Sequence, residues 1–202
     1  PRIGAGIAEL IGENTNAVFL ESPGSLTFEL HDVAAIAKAA RGRGVAAIID
    51  NTWSAGLFFK PFEHGIDLSV QALTKYQAGH ADAFAGAVLA GNSHWEARVR
   101  ACHKQLGLGI SPDDSYLVLR GLRTLAARLE RQSASALAIA RWLESRAEVA
   151  RVIHPALPSH PDHALWKRDF TGASGVFGFE LRPAAPGRLA AMLEGFELFA
   201  MG

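Results

Sequence analysis

Apolar residues gather in short unbroken runs along the first ninety positions and then recur at helical spacing. Ala17-Val18-Phe19-Leu20 is closed by Glu21-Ser22-Pro23-Gly24, the pattern of a strand running into a turn. Val33, Ile36, Ala37 and Ala40 then repeat at helical intervals behind Asp32, a candidate N-cap, with Gly42 and Gly44 at the C-terminal end. Val45 to Ile49 is apolar throughout and ends in Asp50, as expected of a parallel strand buried on both faces. Strand, helix and strand make a βαβ unit. Two more strands are predicted over 68–73 and 83–89. A helix over 93–104 should set Trp95, Val99 and Cys102 on one face.

Ser111-Pro112-Asp113-Asp114 is a helix start, with a hydroxyl cap, proline at the first helical position and acids in the first turn. The helix it opens places Val118, Leu122, Leu125 and Leu129 on one stripe. A second helical stretch over 134–146 follows without Pro or Gly between them, which predicts one long, bent helix bridging two domains. Beyond it come Val149 to Ile153, a loop dense in Pro and His, and Val176 to Leu181 with the alternation of a half-wet strand. The pattern therefore predicts an α/β domain with a mostly parallel sheet over 1–121. A linking helix and the beginning of a small α+β domain follow over 122–202.

Composition narrows the field. The chain has 202 residues, 49% hydrophobic and 20% charged, enough to bury a core and too apolar for disorder. Twenty acidic residues balance twenty basic ones without blocks of either sign, so neither nucleic acid nor a membrane surface is an expected partner. Small molecules and other protein chains are. No apolar run approaches the ~20 residues that cross a bilayer, and a cytoplasmic setting is expected. The single cysteine, Cys102, reads as a small core residue. Pro1 at the start and Met201-Gly202 at the end read as cuts from a longer protein.

In open α/β sheets ligands bind beyond the carboxyl ends of the strands. Three polar clusters fall there: Glu21 to Ser25, Asp50-Asn51-Thr52-Trp53 and Thr74-Lys75-Tyr76. Alone, Asp50 can be read as a helix cap, and Lys75 reads first as a solvated lysine. Together they meet the needs of pyridoxal 5′-phosphate: a lysine for a Schiff base, an aspartate to keep the pyridine nitrogen protonated, and a hydroxyl, Thr74, to donate to the phosphate.

Five stretches in register sharpen that reading. They are Leu20 to Ser25, Ile49 to Trp53, Thr74-Lys75-Tyr76 with Gly79 to Asp82, Ser111 to Asp114, and Arg120 to Leu125 with Arg128. In order and spacing they resemble the Cys/Met-metabolism family of pyridoxal phosphate-dependent enzymes. The resemblance implies an aminotransferase-like, three-layer α/β/α cofactor domain (fold type I) and homo-oligomers, dimers of shared sites assembled into tetramers. It implies Lys75 as the Schiff-base lysine and general acid/base, Asp50 as partner of the pyridinium nitrogen and Thr74 as a phosphate contact.

Within the family, Gly24-Ser25-Leu26, Trp53, the stretch His154 to Pro158 and the stretch Trp166 to Gly172 resemble the β-lyase branch. That implies α,β-elimination of cystathionine to homocysteine, pyruvate and ammonia, a step of methionine biosynthesis. The rival readings are a γ-synthase or γ-lyase, and an inactive fragment lacking site residues. Two positions depart from the family pattern: Ala72 replaces a serine that donates to the phosphate, and Ser25 replaces an asparagine that reaches the ring hydroxyl.

Other features have plainer readings. The spacing of His154, His160 and His163 fits no zinc pattern, which leaves a polar surface loop. Arg120, Arg123 and Arg128 read as structural ion pairs on a helix, His80 as a backbone hydrogen-bonding residue, and Trp53 as core packing or as a pocket wall.

Overall fold

The computed structural model describes residues 4–198, so Pro1 and Met201-Gly202 lie outside the described residues. Four strands, β1 (Ala17–Glu21), β2 (Ala46–Asp50), β3 (Leu68–Ala72) and β4 (Gly86–Ala90), form one sheet in the order β1-β2-β3-β4. The first three are parallel and β4 pairs antiparallel with β3. Parallel neighbours need crossover connections. Helix α1 (Val33–Gly42) makes the first, and residues 51–67, with a short 3₁₀ turn at Pro61–His64, make the second.

The predicted stripe of α1 is the core face. Val33, Ile36, Ala37 and Ala40 are all buried and pack with Leu20, Ala47, Ile49 and Phe59. Ile36 and Ile49 are fully enclosed, each contributing roughly 1.5–3 kcal/mol of burial. Asp32 caps the helix, its Oδ1 accepting the N–H of Ala35 at 3.2 Å. The same carboxylate takes two hydrogen bonds from Arg168, at 3.0 and 3.2 Å, which hold its pKa below the usual carboxylate range.

Helix α2 (Ser93–Leu106) follows β4, but its expected inner face is mostly open. Trp95 and Val99 are half-buried and Cys102 is exposed, so Cys102 is not a core residue.

The long bent helix is in fact two helices, α3 (Pro112–Leu122) and α4 (Leu125–Glu144). The break falls at Arg123-Thr124. There Thr124 donates its hydroxyl (3.2 Å) and its amide (3.1 Å) to Gly121 O, taking over an acceptor that a continuous helix would use. Leu122 consequently leaves the stripe and is exposed, whereas Val118, Leu125 and Leu129 stay buried.

The second sheet pairs β5 (Val149–Ile153) with β6 (Gly178–Leu181) antiparallel. Its core joins Val149, Val152 and Leu157 to Ala140 and Leu143 of α4. Between the strands lie α5 (His163–Asp169) and the Pro/His loop, and α6 (Arg188–Glu194) follows β6. That loop is a surface loop only in part, with Pro158, Ser159 and Pro161 exposed. His154, His160 and Asp162 are buried. They turn inward because the loop's amides need acceptors: Ala156 N–H donates to His154 Nδ1 and Asp162 N–H to His160 Nδ1, each at 3.1 Å. Asp162 Oδ2 accepts the N–H of Leu30 at 3.1 Å, fastening the loop to the segment before α1.

No helix among the described residues is long and apolar enough to cross a membrane. Among the same residues no cluster of His, Cys, Asp and Glu has the arrangement of a metal site.

Candidate active site

Because β1, β2 and β3 run parallel, their carboxyl ends share one edge of the sheet. Glu21 lies opposite Asp50 in the register, and Asp50 opposite Val70, two residues before the end of β3. The loops that leave this edge carry all four residues singled out from sequence: Ser25 after β1, Asp50 at the end of β2, and Thr74 and Lys75 after β3.

Asp50 is half-buried. Its Oδ1 accepts the N–H of Thr52 at 2.8 Å, while Oδ2 takes no hydrogen bond from the described residues. Thr52 in turn accepts the N–H of Ala72 on its hydroxyl at 2.8 Å, and Lys75 N–H donates to Ala72 O at 3.1 Å. One chain of hydrogen bonds thus runs from the Asp50 carboxylate to the backbone of Lys75. Behind it Asn51 is buried, its amide donating to Phe59 O at 3.3 Å and its carbonyl accepting from the Ser54 hydroxyl at 2.5 Å.

The side chain of Lys75 is exposed and makes no ion pair among the described residues. Ser25 is also exposed and donates to Glu21 Oε1 at 2.6 Å. The hydroxyl of Thr74 is engaged both ways with one residue of the β4 side, accepting from Ala85 N–H at 3.0 Å and donating to Ala85 O at 3.3 Å. None of the four side chains hydrogen-bonds another; what unites them is the shared edge.

This donor set fits pyridoxal phosphate in two respects. An uncommitted carboxylate oxygen suits a protonated ring nitrogen, and an unpaired amine suits the aldehyde carbon. At the phosphate end Thr74 donates only by exchanging its long bond to Ala85 O, and Ala72 offers no hydroxyl.

Several supporting residues have roles that the sequence did not reveal, even where they stand inside the singled-out clusters. Thr52 is one. Gln77 is buried beneath the lysine turn and donates its amide to Ala55 O at 3.3 Å and to the side chain of Gln71. Tyr76 has its phenol pKa pushed up by burial, opposed by the Ser174 hydroxyl and the backbone of Gly175 and Val176. An isolated Thr, Gln or Tyr beside a strand end has no periodicity to reveal it.

Trp53 packs against the main core, edge-on to Phe170 at 6.0 Å, and its indole donates to Val176 O at 2.9 Å. His80 bonds the backbone as expected, Nδ1 lying 2.8 Å from Ala78 O. Arg120 forms the expected ion pair with Asp82 at 3.0 Å. Arg128 does not. It binds the carbonyls of Gly121 at 2.8 Å and Gln77 at 3.3 Å instead, because its helix faces backbone of the lysine turn and no acid.

Comparison with known proteins gives the family of the chain. The chain is 48% identical to the cystathionine β-lyases of Escherichia coli (strain K12) and Salmonella typhimurium (strain LT2) over its whole length, covering 51% of each. A solved cystathionine γ-synthase from Xanthomonas oryzae pv. oryzae, in complex with aminoacrylate and cysteine, superposes with a TM-score of 0.93 at 33% identity. The match covers 99% of this chain and 51% of that one. The chain therefore spans about half the length of the relatives it matches. The model of the Cys/Met metabolism PLP-dependent enzymes matches residues 2–202, and the chain belongs to that family.

Proposed function

We propose that this chain supplies the lysine-bearing part of a pyridoxal phosphate-dependent carbon–sulfur lyase, which acts on cystathionine by α,β-elimination. Cystathionine and water yield homocysteine, pyruvate and ammonia. The observation that carries the reading is the edge itself: a half-buried Asp50 with a free carboxylate oxygen and an unpaired Lys75, joined through Thr52 and Ala72.

When bound, the cofactor supplies an electron sink for the pair of electrons left at Cα. Asp50 keeps the ring nitrogen protonated, the state in which that sink is strong. Lys75 takes the proton from Cα on Nζ and returns it to the departing sulfur, one amine reaching two neighbouring atoms in turn. Thr74 and Ser25 contribute hydroxyls toward the phosphate and the ring hydroxyl. The 48% identity to two bacterial β-lyases supports β- over γ-chemistry.

The reading extends to a cytoplasmic homotetramer whose paired subunits share sites, with residues 1–121 as part of the cofactor domain and 122–202 as linker and small domain. Exposed Phe84, Tyr116 and Leu119 are apolar surface available for such contacts.

The experiment is covalent trapping. The chain is incubated with pyridoxal phosphate, reduced with borohydride and mapped by mass spectrometry. The modified residue is expected to be Lys75, and Lys75→Ala is expected to abolish the label. Equal labelling of that variant overturns the assignment. Product analysis of the natural polypeptide, pyruvate against 2-oxobutyrate, separates β- from γ-elimination.

A further inference from the structure

The turn that carries Lys75 closes on itself through three backbone bonds: Lys75 N–H to Ala72 O at 3.1 Å, Ala78 N–H to Leu73 O at 2.9 Å and Gly79 N–H to Lys75 O at 2.8 Å. Its inner side rests on the buried Gln77–Gln71 amide pair. Its outer side is held by a residue from α4. Arg128 donates through Nη2 to Gln77 O (3.3 Å) and Gly121 O (2.8 Å), and through Nε to the Thr124 hydroxyl (3.0 Å).

The guanidinium also lies close against Gly79, where an added Cβ would stand 2.1 Å from Nη1. Gly79 has φ +77°, so its lack of a side chain permits both the left-handed backbone and the close approach. Nη1 itself is buried with no acceptor among the described residues. Arg128 therefore tolerates an unpartnered N–H, a cost of the order of a lost hydrogen bond, in order to bridge three segments at once. An ammonium has no such planar fork.

We propose that Arg128 is a positioning residue for Lys75, a clamp that locks the lysine turn to the α3–α4 break and so fixes the amine relative to the Asp50 edge. The proposal rests on the reading of Lys75 given above. Ion pairing is not its role, since its acceptors are carbonyls and a hydroxyl.

The test combines amide hydrogen exchange, trapping and kinetics for wild type, Arg128→Met and Arg128→Lys. In Arg128→Met, exchange at Ala78 and Gly79 is expected to quicken tenfold or more (order of magnitude), while Val152 in β5 stays within about twofold. Borohydride-trapped labelling of Lys75 is expected to slow by about tenfold. In the natural polypeptide kcat for pyruvate release is expected to fall by roughly 10–100-fold with KM held within about threefold, the signature of a misplaced group.

Arg128→Lys is expected to fold and to fall between the two, which keeps the test decisive if the Met variant does not fold. Unchanged exchange at Ala78 and Gly79, equal acceleration throughout the chain, or unchanged Lys75 labelling each overturns the clamp. So does local loosening with kcat unchanged. If the wild-type polypeptide releases no pyruvate from cystathionine, the lyase reading fails, and exchange and labelling still decide the clamp.

Discussion

The hydroxyl of Thr52 accepts the backbone N–H of Ala72 at 2.8 Å, and this bond joins the loop after β2 to the last residue of β3. Because the N–H of Thr52 also orients Asp50, the two strand ends that carry the candidate chemistry are mechanically coupled. Thr52→Val keeps the shape and the amide but leaves the Ala72 N–H without its acceptor. The expected loss is about 1 kcal/mol, measured by urea unfolding, because the donor is part-buried and its orphaned N–H loses its partner with only part of its desolvation cost. Thr52→Ser restores the acceptor and should stay within about 0.5 kcal/mol of wild type. A valine variant as stable as wild type would mean that water replaces the bond and the coupling is absent.

Why the roles of Asp50 and Lys75 were legible while that of Thr52 was not, and that of Arg128 was read as ion pairing, follows from where information resides in a sequence. Continuous apolar runs such as Val45 to Ile49 announce buried parallel strands, and the residues that end them are candidates by position alone. The helix break at Arg123-Thr124 had no such mark. Leu122 and Leu125 continue the apolar spacing, and what interrupts the helix is local bonding, with Thr124 and Arg128 both donating to Gly121 O. Composition misled at the Pro/His loop: imidazoles count as polar, yet His154 and His160 serve as internal acceptors for amides that the loop must bury. Cys102 failed the other way, because spacing shows which residues share a face but not whether anything covers it.

His154 predicts an acid-sensitive fold. Burial, reinforced by His160 and Arg141, pushes its pKa from 6.5 to about 4. Its Nδ1 accepts from Ala156 N–H, so the neutral ring carries its proton on Nε2. The folded pKa lies below the unfolded one, so this contribution is fully present above about pH 6.5 and is lost as pH falls toward 4. His160, lowered chiefly by burial and partly offset by Asp162, adds in the same direction. The expected loss for His154 is on the order of 2 kcal/mol between pH 7 and 4, read from urea midpoints. His154→Asn keeps an acceptor near Nδ1 but cannot titrate, and it should flatten the curve. An identical pH slope in that variant would place the sensitivity elsewhere.

Gly121 offers the sharpest steric test of the site's architecture. A Cβ there would stand 2.1 Å from Gln77 O and 2.5 Å from Ala78 O, both backbone atoms of the lysine turn. No rotamer relieves such a clash, so either α3 retreats or the turn shifts. Gly121→Ala should cost about 1–3 kcal/mol or more by overpacking, despite the better helix propensity of alanine. It should also slow the trapping of pyridoxal phosphate on Lys75, since one of the displaced carbonyls, Gln77 O, is the acceptor through which Arg128 holds the turn. Gly42, near the end of α1, is the matched control: a Cβ there meets nothing within 4 Å. Gly42→Ala should therefore be neutral or stabilising by up to about 1 kcal/mol and leave trapping unchanged. If Gly121→Ala behaves like Gly42→Ala in both measurements, the contact between α3 and the lysine turn is not what fixes the site. The positioning role of Arg128 would then lose the surface it is braced against.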